Sequence, residues 1–174
     1  MLIELLILSV LLNQESTIYK IRKNINKYFF LFCTTSMGSI HPALERLYEN
    51  KFVNVKKSMS PGGQKSSMYS ITPKGKKYFE ILMTEELPRN PSVASQLVHM
   101  KIMLLPLLSK ALKTKTIKIL KDYYETKLLD FKNFYENCKE EEGSIKKNLN
   151  NDYIKHCINS ISEEINWLNF QDLN

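Results

Sequence analysis

The stretch from Phe52 to Ile71 constrains this chain most. Phe52 to Lys56 alternates Val53 and Val55 with Phe, Asn and Lys, the period-two pattern of a half-buried strand. Pro61-Gly62-Gly63 is a turn signal, and Met68, Tyr69, Ser70 and Ile71 read as the returning strand. A lone β-hairpin is marginal in water, so helices must cover its apolar side.

Helical patterns do surround it. Ile3, Leu6, Ile7, Val10 and Leu11 recur at helical spacing and predict a helix over about residues 2–12. Ser16 is the expected N-cap of a second helix, with Ile18, Ile21, Ile25 and Tyr28 on one face and Lys20, Arg22, Lys23 and Lys27 on the other. An apolar stretch, Phe29 to Cys33, leads into Thr34-Thr35-Ser36. The third helix is expected to start at Ser39, which puts Pro42 in the first turn, where its missing N–H costs nothing; a start at Ser36 would place it deeper, where proline breaks helices. Ile40, Leu44 and Leu47 form its buried stripe with Ala43 at the edge, and Ser39, His41, Pro42, Glu45, Arg46 and Glu49 face outward. After the hairpin, Thr72 caps a fourth helix with Pro73 at its first position and Tyr78, Phe79 and Leu82 inward. Helix, helix, helix, hairpin, helix over residues 1–84 is a winged helix-turn-helix.

Pro88 and Pro91 mark residues 85–91 as a linker, and residues 92–174 read as a helical domain. Val93 to Leu105 is one helix, ended or kinked by Pro106, and a longer one runs from about Thr116 to Glu140. A turn is expected around Gly143 and Asn148 to Asn151. In the last helix Ile154, Ile158, Ile161, Ile165 and Leu168 are spaced as a heptad seam. The seam has two readings, packing within the chain or self-association. Two helices protruding from a small domain have little core of their own, which favours a homodimer. Trp167, beside the seam, reads as an interface anchor, with stacking on an aromatic effector between subunits as the alternative. The fold class is therefore mostly α with one small hairpin: a winged helix-turn-helix plus a C-terminal helical dimerisation domain.

Charge divides the same way. The formal net charge is +7, and residues 1–84 carry 12 Lys/Arg against 5 Asp/Glu, whereas residues 85–174 carry 13 of each. A basic N-terminal half suits a polyanion, double-stranded DNA being the expected partner, although surface lysines also serve solubility. The apolar run Met1 to Leu12 contains Glu4 and is shorter than the roughly 20 residues a membrane helix needs. The run Leu97 to Leu108 is interrupted by His99, Lys101 and Pro106. Neither looks like a signal peptide or membrane span, so a cytoplasmic protein with no membrane partner is expected. Three cysteines, Cys33, Cys138 and Cys157, lack Cys-x-x-Cys spacing, and three histidines are scattered, so neither a metal nor a cofactor is expected. No Ser/His/Asp grouping or carboxylate pair argues for catalysis. Gly62-Gly63-Gln64 matches a release-factor tripeptide, but on a hairpin tip; the same residues lack the spacing and strand-to-helix setting of a phosphate loop.

A helix-turn-helix inserts its second helix into the major groove while neighbouring elements hold phosphates. Here that helix would present Ser36, Ser39 and His41, with Arg46 further along. Serine can bond several base edges, and arginine can grip guanine with two parallel bonds. Arg46 can equally hold a phosphate or pair with Glu49 or Asn50, and His41 can contact the backbone or simply be exposed. Lys56, Lys57, Gln64 and Lys65 would make the wing basic, and Lys20 and Lys23 are phosphate candidates.

These residues also carry a resemblance. Gly38-Ser39-Ile40-His41-Pro42-Ala43-Leu44-Glu45-Arg46-Leu47, then Lys51-Phe52-Val53, Gly62-Gly63-Gln64-Lys65 and Tyr69-Ser70-Ile71-Thr72-Pro73-Lys74-Gly75, resemble the PadR-like transcriptional regulators. Glu163-Glu164-Ile165-Asn166-Trp167-Leu168 is similar to the end of that family's virulence-activator-like C-terminal domain. The chain departs in two places: His41 stands where the family usually has Tyr, and Lys65 where the wing often has Arg, which keeps charge but loses bidentate geometry. The resemblance implies a homodimer reading a near-palindromic operator and repressing transcription, relieved in many members by a small apolar or phenolic effector; no residue of the sequence itself identifies one. A DNA-segregation protein coating repeated sites, as some plasmid centromere binders with winged helices do, is the alternative function.

Overall fold

Leu5, Leu6, Ile7 and Leu8 are all fully buried in the computed structural model, which describes residues 2–59, 65–140 and 151–173. Four consecutive apolar residues turn through a full helical circumference, so α1 (Leu2–Asn13) must be enclosed on every side. It is. α2 (Ile18–Tyr28), α3 (Met37–Glu49), α4 (Pro73–Thr84), α5 (Pro91–Leu104) and the strand β3 (Lys65–Ile71) all pack on it. Ile21 and Ile25 of α2, Ile40, Ala43, Leu44 and Leu47 of α3, and Phe79, Leu82 and Met83 of α4 join it in one core. Ala43 is fully buried, not at the edge of the stripe.

The hairpin pairs β2 (Val53–Met59) with β3 in antiparallel register, Val53 opposite Ile71 and Met59 opposite Lys65. The expected Pro61-Gly62-Gly63 turn lies outside the described residues. A third strand, β1 (Ser16–Thr17), adds to the other side of β3, Ser16 opposite Tyr69, giving the order β1-β3-β2. This strand corrects one expectation: Ser16 is buried in the sheet, and Thr17 caps α2 by accepting the Lys20 N–H at 3.4 Å. Both residues are extended and paired with β3, but Ser16 lies one residue too early and turns its hydroxyl back to the Gln14 carbonyl at 3.4 Å.

The start of α3 is a second correction. The helix begins at Met37 behind an N-cap at Ser36, so Pro42 lies inside it, at the sixth position. The bond that Pro42 cannot make is to the carbonyl of Gly38, an exposed residue, where water can take its place. The Ser36 cap then outweighs the proline's preference for the first turn. Thr72 caps α4 as expected, accepting the Gly75 N–H at 2.9 Å, with Pro73 first in the helix.

Two compact units divide the chain, Met1–Leu112 and Lys113–Asn174. Leu97, Met100 and Leu104 of α5 belong to the core of the first unit, so that unit extends past residues 85–91. A single 3-10 turn, Leu105–Leu107, follows α5 at Pro106. α6 (Lys110–Glu140) starts six residues before the expected Thr116, and α7 (Asn151–Leu173) closes the chain; the expected turn at Gly143 lies outside the described residues. In the second unit the Lys155 ammonium sits 5.7 Å from the Tyr135 ring, while Glu164 acts on Tyr124. Contacts that run forward along α7 and backward along α6 make the two helices antiparallel. Burial, with Glu164 adding to it, raises the Tyr124 phenol well above its ordinary pKa.

Candidate nucleic-acid interface

Three polar devices fix α3 in the first unit. At its start, the Asn26 side chain of α2 clamps Thr35: Asn26 Nδ2 donates to the Thr35 carbonyl at 3.0 Å, and Asn26 Oδ1 accepts the Thr35 N–H and hydroxyl, each at 2.8 Å. Thr35 is buried, so these bonds replace those to water. The clamp delivers Ser36 as N-cap. Ser36 Oγ accepts the Ser39 N–H at 3.3 Å and Ser39 Oγ accepts the Ser36 N–H at 3.2 Å, a reciprocal capping box. Ser39 also donates its hydroxyl to the Ser36 carbonyl at 3.0 Å. Its hydroxyl hydrogen is thus spent, whereas Ser36 retains one to donate.

At the other end, Lys51 adopts φ 61°, the left-handed region. The Lys51 N–H reaches the Tyr48 carbonyl at 2.9 Å and the Phe52 N–H reaches Leu47 at 2.8 Å, the paired bonds of a Schellman cap. α4 is locked on this corner. The Thr72 hydroxyl donates toward the carbonyls of Lys51 and Phe52, at 2.8 and 3.1 Å. Gly75 passes so close that an added Cβ would lie 2.0 Å from the Phe52 carbonyl oxygen. Phe52 and Tyr78 stack with ring centroids 4.1 Å apart, and Lys74 Nζ donates to the Asn50 carbonyl. Threonine and glycine three residues apart therefore join the helix-turn-helix to the hairpin.

Between the ends, Ile40, Ala43, Leu44 and Leu47 hold α3 to the core, while Ser36, His41, Pro42, Glu45, Arg46 and Glu49 are exposed. His41 Nδ1 stands 3.4 Å from the Glu45 carboxylate one turn on. Arg46 Nε donates to Glu4 Oε1 at 2.8 Å, and the Tyr78 hydroxyl donates to Glu4 Oε2 at 3.1 Å. Burial works against a charged Glu4, but these bonds prevail and its pKa is lowered; the Tyr78 phenol, itself desolvated and facing that carboxylate, is pushed up to about 12. Glu49 and Asn50 do not take the Arg46 side chain; Asn50 instead donates to the Arg46 carbonyl. Arg46 remains half exposed, with its outer nitrogens available.

Lys20 and Lys23 are exposed on α2. On β2, Lys56 and Lys57 are both exposed, but consecutive strand residues point to opposite faces. Lys57 shares the face of Val53, whose next neighbours across the ladder include Tyr69. Val53, Tyr69 and Ile71 pack in the core that α3 lines, which puts this face next to α3; burial, with Glu45 of α3 adding to it, raises the Tyr69 phenol. Lys57 is therefore the wing lysine on the α3 side, and Lys56 is not. Gln64 and the Lys65 side chain lie outside the described residues.

In the second unit Ile154, Ile161 and Leu168 are buried within the single chain, Ile158 and Ile165 are half buried, and Trp167 is exposed. Among the described residues, no group of three or more His, Cys, Asp or Glu could hold a metal, and no helix is long and apolar enough to cross a membrane.

Sequence reasoning missed Asn26 and Glu4. Each left a signal: a polar residue at the end of an apolar stripe, and one charge within an apolar run, where an unpaired carboxylate would be costly.

Residues 7–81 match the Transcriptional regulator PadR-like family. Among solved structures, a PadR-like transcriptional regulator from Bacillus cereus is 34% identical, covering 44% of this chain and 73% of that one, with a TM-score of 0.39. Bacillus subtilis PadR in complex with operator DNA is 17% identical over 99% of this chain and 98% of that one, TM-score 0.49. The same protein in complex with p-coumaric acid is 18% identical with the same coverage, TM-score 0.44. No curated protein matches. Residues 7–81 are a domain of the PadR-like family of transcriptional regulators.

Proposed function

We propose that this chain is a cytoplasmic, sequence-specific, double-stranded-DNA-binding regulator that acts as a homodimeric repressor. One observation carries the reading: α3 is clamped at both ends and along one stripe, while its opposite face, from Ser36 to Glu49, is open to solvent. A groove-reading helix needs that combination, because base contacts require fixed geometry on an exposed face. Ser36, with its free donor, His41 and the outer nitrogens of Arg46 are the groove-facing groups, and Ser39 positions the end of the helix. Lys20 and Lys23 take phosphates beside it. Lys57 and Lys65 form the basic wing with Gln64, and Lys56 on the other strand face adds charge only.

The functional division is residues 1–84 for DNA, 85–91 as the connection and 92–174 for pairing, with α5 also bracing the head. Ile154, Ile161 and Leu168 fill the chain's own interior, so Ile158, Ile165 and Trp167 are the seam residues left for a partner. Relief by a small apolar or phenolic effector rests on the family resemblance. Trp167, the only tryptophan, reports on it: titration with phenolic acids should quench its emission saturably, and an unchanged spectrum removes the effector from this reading.

Fluorescence anisotropy of labelled duplex against salt tests DNA binding directly. Binding that neutralises several phosphates gives a log–log slope of about −0.9 per phosphate, and a flat line would remove DNA from the account. Lys57→Glu with Lys65→Glu should weaken binding to all duplexes alike. Footprinting on genomic fragments should give one compact protected site; protection spreading over iterated sites would favour a segregation protein.

A further inference from the structure

The even charge of residues 85–174 conceals a sharp break. Residues 87–121 contain seven Lys/Arg and no Asp/Glu, whereas residues 122–174 contain six Lys/Arg and eleven Asp/Glu. Four of those seven, Lys113, Lys115, Lys118 and Lys121, fall on α6 within the second unit. Thr116, Ile117, Leu120 and Tyr124 are buried on one side of this stretch; Lys115 and Lys118 are exposed on the other, Lys121 is half buried at its margin, and Lys113, about 200° of helix turn from Lys115, is half buried on the covered side. A half-buried lysine keeps its ammonium in water while its stem covers apolar surface. Among the described residues none of the four makes an ion pair, although Asp122 and Glu125 stand one turn beyond Lys118 and Lys121.

We infer that the row formed by Lys115, Lys118 and Lys121 is a second contact for double-stranded DNA, one that holds phosphates without reading sequence. The inference rests on the DNA-binding reading above. Lys115, Lys118 and Lys121, three residues apart on one flank, lie along about 9 Å of helix axis, and duplex DNA presents one negative charge per roughly 1.7 Å of its own axis. A row of like charges with no internal neutralisation suits a partner of regular, dense, opposite charge. Lysine ammoniums are point charges that hold phosphate oxygens without the two parallel bonds that read guanine, so such a contact would carry no sequence information. An acidic protein surface would ordinarily meet apolar anchors as well, yet no residue between Lys115 and Lys121 is an exposed large apolar side chain.

The test compares the full chain with Lys115→Gln, Lys118→Gln and Lys121→Gln combined, by anisotropy on a 60-base-pair duplex of random sequence across a salt series. The triple variant should bind about tenfold more weakly at moderate salt, with the log–log slope shallower by about 2 to 3, and with unchanged helix content by circular dichroism. The matching triple arginine variant should bind as the wild type does. Equal slopes for wild type and glutamine variant, with affinities within about twofold, would overturn this second contact and leave the winged helix intact as the DNA-binding element. A wild-type chain that binds no duplex at any salt would overturn both.

Discussion

Arg46 on α3 and Glu4 on α1 form a 2.8 Å hydrogen-bonded ion pair that ties the exposed helix to the buried one. One nitrogen of the candidate base-reading arginine is thus spent inside the protein, and the carboxylate that takes it is held by Tyr78 as well.

The pair makes stability sensitive to acid. The Glu4 pKa is lowered below its ordinary 4.5, so its stabilisation is fully present above that value and is lost as pH falls through the folded value. Wild-type protein should lose melting temperature steeply below about pH 4.5. Glu4→Gln should be less stable at pH 7 by about 1 kcal/mol, a figure reduced because Arg46 is half exposed, and should show a flatter acid limb in thermal melts. Parallel acid limbs would count against the pair.

Lys101 works in the opposite direction. Its side chain is fully buried and its ammonium donates to the Glu85 carbonyl at the end of α4. Burial lowers its pKa from 10.5 to about 8, with Glu85 partly opposing. The unfolded chain then holds this proton over a range in which the folded chain has released it, so stability rises with pH between about 8 and 10.5. From pH 7 to 9.5 the wild type should gain on the order of 2 kcal/mol, and Lys101→Met should lose that gain. Urea melts at the two pH values decide it; an equal pH response in both proteins would show that Lys101 does not titrate in this range.

At the corner where α3, β2 and α4 meet, Gly75→Ala should be among the most damaging small substitutions in the chain. Its methyl group would sit 2.0 Å from the Phe52 carbonyl oxygen, backbone that cannot move without breaking the Thr72 bonds. A loss of about 3 kcal/mol is expected, against about 1 kcal/mol for Thr72→Ala, which removes a cap. Denaturant melts that rank the two the other way would refute the close approach.

Lys51→Gly should stabilise the protein. The left-handed φ of 61° costs a side-chain-bearing residue about 1–2 kcal/mol, and glycine's extra freedom when unfolded returns part of that, leaving a gain of about 0.5–1 kcal/mol. A melting temperature that stays level or falls would mean that the lysine side chain contributes more than the backbone strain costs.

For pairing, the seam and its edge should behave differently. Ile161 is buried in the single chain, so Ile161→Asp should lower helix content as well as any association. Trp167 is exposed, and Trp167→Asp with Ile158→Asp should yield folded monomers by sedimentation equilibrium. A folded dimer in that variant would move the interface elsewhere.

What the sequence revealed followed from how local each signal was. The hairpin, the Thr72 cap and the four helices of the head are written in residues within four positions of one another. β1 is two residues long and exists only because β3 is beside it, so no pattern announced it. The start of α3 was misplaced because a proline rule was weighed without the Asn26–Thr35 clamp, which depends on α2 lying alongside. The Arg46–Glu4 pair spans 42 positions, and nothing near either residue points to the other. Heptad spacing identified which isoleucines of α7 face an apolar neighbour but cannot say whether that neighbour belongs to the same chain. Burial of Ile154, Ile161 and Leu168 answers for those three.

The three bonds between Asn26 and Thr35 also limit how such a head can be controlled. With its first residue fastened to the preceding helix and its last to the hairpin corner, α3 has no independent hinge on which to swing. In the homodimer proposed above, control would then act on each head as one piece, by changing the separation or tilt between the two heads so that both do or do not fall on successive grooves. For that dimer, a site with altered half-site spacing is expected to mimic the inactive state without any ligand present.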